Sequence, residues 1–321
     1  MHPDHLPARS PGQRALALAV RVVEFPLLRL VWTVLLFGGA TWLFVRLFPV
    51  LGRMPNSTLG GSFRRAALAT LAAWAVVRLL EGKSLAAALG LWPARAPRGL
   101  ARGFLLGAGL VTAAVAWVAL AGDYQVTGRG DGSDLRSLAD LFLLFTCVAV
   151  AEEVLARGVL LRLFEQALGT WAALGLSALL FGFGHLGNPG ATVFSSVAIA
   201  VEGGILLGAA YVASRSLWLP IGMHIGWNFF EGPVLGARVS GNWVPSLVAA
   251  RFTGSPWLTG GPFGPEAGIP VLVLGTGLGA AAMVVAVRHG QVFTPRWMTR
   301  LLARMHRPPA ARALTAPAPP P

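Results

Sequence analysis

Charge is what this sequence has least of. Asp, Glu, Lys and Arg make up 12% of its 321 residues, where a soluble globular domain carries about 25%. So little charge cannot cover a water-facing surface, which excludes an ordinary soluble enzyme. A hydrophobic share of 55% excludes a disordered chain. Cysteine is nearly missing. Cys147 stands alone, so neither an intrachain disulfide nor a cysteine metal cluster can form. Lysine is represented by Lys83 only, and the basic side is almost all arginine. The motif HExxH is also absent, so a metal would have no ready-made pair of imidazoles on one helix.

What is present is apolar and basic. Mean hydropathy is +0.65, and 26 basic residues face 13 acidic ones for a net charge of +13. The arginines lie between apolar runs or at the two ends. That distribution orients a membrane protein rather than building a nucleic-acid face, and no nucleic-acid partner is expected. A spanning helix needs about 20 mostly apolar residues. Eight segments qualify or nearly so: Leu27–Leu51, Ala66–Leu80, Gly103–Ala121, Leu138–Leu163, Trp171–His185, Val193–Ala213, Leu217–Glu231 and Ile269–Val287. The expected fold class is therefore all-α, a polytopic transmembrane helix bundle of about eight spans over residues 26–288.

Residues 1–25 form a basic N-terminal segment, and residues 289–321 a basic, Pro-rich tail. Within the tail, Trp297–Met305 has the pattern of a helix lying on the membrane surface. An even number of spans puts both termini on one side. Placing them in the cytoplasm puts Lys83, Arg95, Arg98, Arg102, Arg162, Arg215 and the tail inside, and the acidic loop of Asp123, Asp131 and Asp134 outside. The cluster Arg46, Arg53, Arg64 and Arg65 runs against this assignment. The stretch from Gly232 to Gly268 is expected as an outside loop.

Ionisable groups within apolar segments are expensive and usually face a wet cavity. In AEEVLARG, Glu153 and Arg157 are four apart and share a helix face, which leaves Glu152 pointing elsewhere. In FGFGH, Phe181 and His185 have the same spacing, and in HIGWN so do His224 and Asn228. Each pattern alone has a bland reading, as an ion pair or a hydrogen-bonded packing residue. Together they account for both histidines of the apolar body and for its adjacent acidic pair. A single site between three helices explains the set. A carboxylate can act as base on water, imidazoles can bind a metal or share that role, and a carboxamide can donate to an oxyanion.

The ordered set EExxxR, FxxxH and HxxxN resembles the CAAX protease and bacteriocin-processing family of intramembrane proteases. The matching stretch is about 138–231, and the run SLWLPIGMHIGWNFF with GILLGAAY before it resembles the family's bacterial members. The resemblance implies that Glu152, Glu153, Arg157, His185, His224 and Asn228 are the functional positions. It implies an endopeptidase acting on a membrane-associated peptide or protein, with membrane lipid as its surroundings. His185 and His224 would hold a divalent metal, zinc first, or would orient a metal-free water activated by Glu152. Glu153 with Arg157 would fix the helix geometry, and Asn228 would steady the oxyanion. Prenylated C-terminal peptides, double-glycine peptides and membrane-protein precursors are the substrate classes the family offers.

Two other functions use the same residues. Buried Glu and His chains also mark proton-coupled transporters, although these show matched broken helices in two halves, and no such repeat is visible. A catalytically inert immunity or scaffold protein would keep the fold without turnover. Cys147 is an alternative nucleophile, and Glu202 is a third acid in an apolar run that either lines the same cavity or pairs across helices.

Overall fold

The computed structural model describes residues 26–47 and 58–295. The expected N-terminal segment 1–25 and the surface helix Trp297–Met305 lie outside the described residues. The protein is mostly helical. Helix α1 spans Pro26–Leu47, α2 spans Leu59–Ala75 and continues through a π-helical turn to Leu80, and the short α3 spans Leu85–Leu89. Helix α4 spans Ala96–Leu120. Helix α5, Leu135–Glu153, runs through a π-helical stretch (Val154–Leu161) into α6, Arg162–Leu168. Helix α7 spans Thr170–Phe183. Helix α8, Val193–Ile199, passes through a second π stretch (Ala200–Leu206) into α9, Leu207–Ser214. Helix α10 spans Trp218–Phe229 with a π turn to Val234, α11 is the single turn Pro256–Thr259, and α12 spans Ile269–Arg288.

Within the described residues, each of the eight apolar segments read from the sequence falls largely on helix. Three helical rods are long and apolar enough to cross a membrane by length and composition: Leu85–Leu120, Val193–Ser214 and Ile269–Arg288. Leu30–Ala40 and Thr170–Phe183 are apolar but shorter. The middle rod is the hub, because 72% of its most apolar stretch is buried, against 39% and 33% for the other two. Those two turn Leu105, Leu120, Val273 and Val284 outward. Apolar surface of that extent on a soluble monomer would mark a contact site or an aggregation hazard; a bilayer covers it.

Two expectations need correction. The chain is not purely helical, because strand β1, Tyr124–Arg129, pairs antiparallel with β2, Val248–Phe252. Both strands lie in connections that read as irregular loops. Each is too short and too interrupted to show alternation, and the ladder itself shifts register between Val126 and Gly128. Tyr124 stacks on Phe252 with ring centroids 5.0 Å apart and donates to the Leu235 carbonyl. The ribbon thus ties together the two connections assigned to the same side. The second correction concerns α2, which begins at Leu59 rather than Ala66. Thr58 caps it by accepting from the Gly61 N–H at 3.2 Å, so Arg64 and Arg65 lie on the helix and not in a loop.

Glycine sets the closest helix crossing. A Cβ at Gly103 or Gly107 of α4 would overlap the carbonyl oxygens of Leu219 and Met223 on α10. In return, a Cβ at Gly222 or Gly226 would overlap those of Leu100 and Phe104. The two backbones therefore touch through facing glycines four apart, the small-residue packing by which apolar helices associate in lipid. This contact fixes the height and rotation of α10, which carries His224 and Asn228. At the far end of the bundle, buried Arg162 bonds Glu81 at 2.8 Å and Arg215 bonds Glu165 at 2.6 Å. Arg215 adopts φ 50, closing α9 in the left-handed region.

Gly107→Val is expected to destabilise the protein by about 1–3 kcal/mol or more through overpacking, read as a lowered melting midpoint in detergent. Gly109→Ala serves as the control, since a Cβ there meets nothing within 4 Å; an equal loss in both would remove the glycine contact as the cause.

Candidate active site

The three motifs converge. Glu153 and Arg157 lie one turn apart where α5 widens into its π stretch. Arg157 Nη1 donates to Glu153 Oε1 at 2.7 Å. Its Nη2 donates to the carbonyls of Gly203 and Gly204 in the π stretch of the central rod. Its guanidinium lies 4.7 Å from the centre of the Phe181 ring. Arg157 and Glu153 are 2% and 0% exposed. A buried ion pair is costly unless its remaining hydrogen-bonding groups are satisfied; the two glycine carbonyls do this for the guanidinium, while Glu153 Oε2 has no hydrogen-bond partner among the described residues. Wide π turns are rare in helices and often found at functional sites. Here three of them carry Arg157, Glu202 and Glu231.

Glu153 Oε1 also receives His224 Nδ1 at 2.9 Å, across to α10. A carboxylate only accepts, so Nδ1 carries the proton and the Nε2 lone pair is left facing the cavity. That Nε2 lies 3.9 Å from Glu152 Oε2. His185 is treated the same way by a different partner. Helix α7 ends at Phe183, so His185 sits in the turn beyond it and not on the helix face. The turn still brings its Nδ1 to the Phe181 carbonyl at 2.8 Å and its ring against Phe181; a carbonyl only accepts, so Nδ1 is the donor. Asn228, one turn after His224, is 7% exposed and makes no side-chain hydrogen bond among the described residues.

Glu152, His185, His224 and Asn228 all line one cavity of about 730 Å³. Its apolar walls include Leu144, Phe145 and Val148 of α5 and Leu206 and Leu207 of the central rod. Glu202 lines it as well, which answers the question its sequence position raised. Cys147 does not, since the cavity face of α5 passes through residues 144, 145, 148 and 152 and Cys147 lies on another side. Trp227 packs against Val111, Ala114 and Val271, lines the cavity and donates to Glu231 Oε2 at 3.2 Å.

Two site residues were not foreseen from the sequence. Arg65 of α2 donates to Glu152 Oε1 at 3.1 Å and shares the cavity. Its only signal was its conflict with the arginine distribution, which a charge working inside the bundle explains. Glu266, in the single 3-10 turn Pro265–Ala267, closes the opposite wall. It accepts from the Ser240 N–H at 2.6 Å and the Ser240 hydroxyl at 2.8 Å. With Arg65 counted, Glu152 and Glu153 face two guanidinium groups and this half of the site is charge-balanced.

The donor set does not fit a zinc ion with three protein ligands. Among the described residues, no three His, Cys, Asp or Glu side chains group closely enough to hold a metal. Moreover, one oxygen of Glu152, the carboxylate nearest His224, is already committed to Arg65.

Residues 134–230 match the family model described as type II CAAX prenyl endopeptidase Rce1-like. The match begins at the Asp134 cap of α5 and ends on α10, so it contains all six motif residues but neither Arg65 nor Glu266. No curated protein and no solved structure matches the chain.

The Arg157 pair can be tested for its structural share. Arg157→Leu leaves Glu153 buried with its charge uncompensated and is expected to cost about 3–5 kcal/mol. Glu153→Leu with Arg157→Leu should cost less than the sum of the single changes. Additive melting losses would show that the two side chains do not act as a pair.

Proposed function

We propose, from the match of residues 134–230 to the family model described as type II CAAX prenyl endopeptidase Rce1-like, that this chain is an intramembrane endopeptidase. In this reading it is a bundle of about eight spans with both termini cytoplasmic, as the arginine distribution suggests. It hydrolyses a peptide bond of a membrane-associated peptide or protein with water activated by Glu152. The observation that carries the proposal is the gap of 3.9 Å between Glu152 Oε2 and His224 Nε2. It is too long for a direct hydrogen bond and suited to one bridging water. Both atoms accept, so a water between them donates both hydrogens and turns its lone pairs toward the cavity.

The chemistry follows from these roles. Glu152 removes a proton as the water oxygen bonds to the scissile carbonyl carbon. The Asn228 carboxamide, having no other partner, donates to the developing oxyanion. As the C–N bond breaks, protonated Glu152 returns the proton to the leaving amine. His185, with its Nε2 open to the same cavity, helps to hold the water. Arg65 compensates the Glu152 charge between cycles, and Glu153 locks the His224 tautomer. Zinc on His185 and His224 would supply Lewis-acid activation of the same water, but the donor grouping favours the metal-free course. The family description names a prenyl peptide; the apolar walls of the cavity suit any lipid-flanked segment, including a double-glycine peptide or a membrane-protein precursor.

The test compares membrane peptidomes of cells carrying wild type, Glu152→Gln and Cys147→Ser at equal protein levels. Glu152→Gln keeps size but removes the base, so turnover should fall about 10²–10⁴-fold, with loss of at least one processing product. Cys147→Ser should match wild type, and thorough chelation of purified protein should leave activity intact. Unchanged products in Glu152→Gln would favour the inert scaffold, and reversible loss on chelation would restore the metal.

A further inference from the structure

The cavity has two unlike ends. At the Glu152 end each acid has a basic partner. At the other end stand Glu202 and Glu266, with Glu231 directly behind Glu266. These side chains are 5%, 3% and 0% exposed. No Lys or Arg forms an ion pair with any of the three among the described residues. Glu202 makes no side-chain hydrogen bond either and lines the cavity. The basic group in electrostatic reach of Glu202 is Arg157, whose guanidinium is already committed to Glu153 and two carbonyls; Glu266 has the His185 imidazole in reach across the cavity. Glu231 and Glu266 face each other as a carboxyl pair in hydrogen-bonding reach, and Glu231 Oε1 is buried with no other partner among the described residues.

Buried carboxyls without cations stay neutral or await a positive charge. A structural role would satisfy them with donors, as Ser240 and Trp227 do for one oxygen each of Glu266 and Glu231. Glu202 is left out of that arrangement and, like Glu266, lines the cavity. A metal ion is a poor match, since no three such side chains group closely enough among the described residues. An organic cation fits better: an ammonium or guanidinium brings several donors on an apolar stem, and Leu206 and Leu207 of the wall beside Glu202 offer surface for the stem.

We propose that Glu202, backed by Glu266 and Glu231, forms a subsite for a positively charged group of the substrate, a Lys or Arg side chain or a free amino terminus, held while the scissile bond lies at Glu152. This rests on the endopeptidase reading for its meaning but not for its test.

The test measures binding in lipid nanodiscs by fluorescence anisotropy. The probes are dansyl-Leu-Lys-Leu-amide and the same peptide with norleucine in place of lysine. Wild type should bind the lysine probe about 10- to 100-fold more tightly, the scale of a hydrogen bond to a charged group. Glu202→Gln should erase the preference while leaving norleucine binding unchanged, and Glu266→Gln should weaken it. Glu152→Gln should keep the preference, which separates binding from catalysis; a wild-type protein that binds selectively yet processes no membrane peptide would sink the protease reading and spare the subsite. Equal binding of the two probes by wild type overturns the proposal without any variant, and so does a folded Glu202→Gln protein that still prefers lysine.

Discussion

One buried oxygen organises the site. Glu153 Oε1 accepts from Arg157 at 2.7 Å and from His224 at 2.9 Å, and so joins α5 to α10. Through Arg157 the same link reaches the Gly203 and Gly204 carbonyls of the central rod. Three elements are thereby pinned at one depth by charge-assisted bonds that no water competes for. The consequence for Glu152 is positional. Its neighbour in sequence is consumed by structure, and the helical turn of about 100° per residue leaves Glu152 facing the cavity beside His224. Adjacent carboxylates thus divide into an anchor and a cavity-facing group because only one can share a face with Arg157.

The packing around this link is made of small residues for a physical reason. Lipid offers no hydrophobic gain for bringing helices together, so close backbone approach must supply the attraction. Facing glycines on α4 and α10 do so and set the reach of His224. Cavity and contact are complementary parts of one design: tight packing on the α4 side of α10, and open polar space on the side facing α5 and the central rod. For the proposed hydrolysis such a space would admit water where a bilayer excludes it.

Much of this was legible in the sequence. The apolar segments located the helices, and the i, i+4 spacing correctly gave Glu153 to Arg157 and freed Glu152. The three motifs fall together as one cavity, which periodicity alone could suggest but not fix. What was hidden depended on contacts between distant segments. Arg65 reaches Glu152 across 87 positions, and its one trace was an arginine on the unexpected side. Glu266 lay in a Gly- and Pro-rich stretch where a lone acid reads as solvated. The β ribbon was illegible because its two strands, over 100 residues apart in sequence, are each too short to show a period. His185 still reaches the cavity although its helix ends before it, because a turn holds the ring against Phe181 as the helix would have.

The central claim is that water, not a side chain, attacks the peptide bond. The most direct measurement is mass spectrometry of the cleaved peptide formed by purified protein in oxygen-labelled water with hydroxylamine present. Attack by water activated at Glu152 predicts a new carboxyl terminus carrying one labelled oxygen and no hydroxamate. A hydroxamate product would reveal a trapped acyl-enzyme, and with it a nucleophilic side chain that contradicts the account.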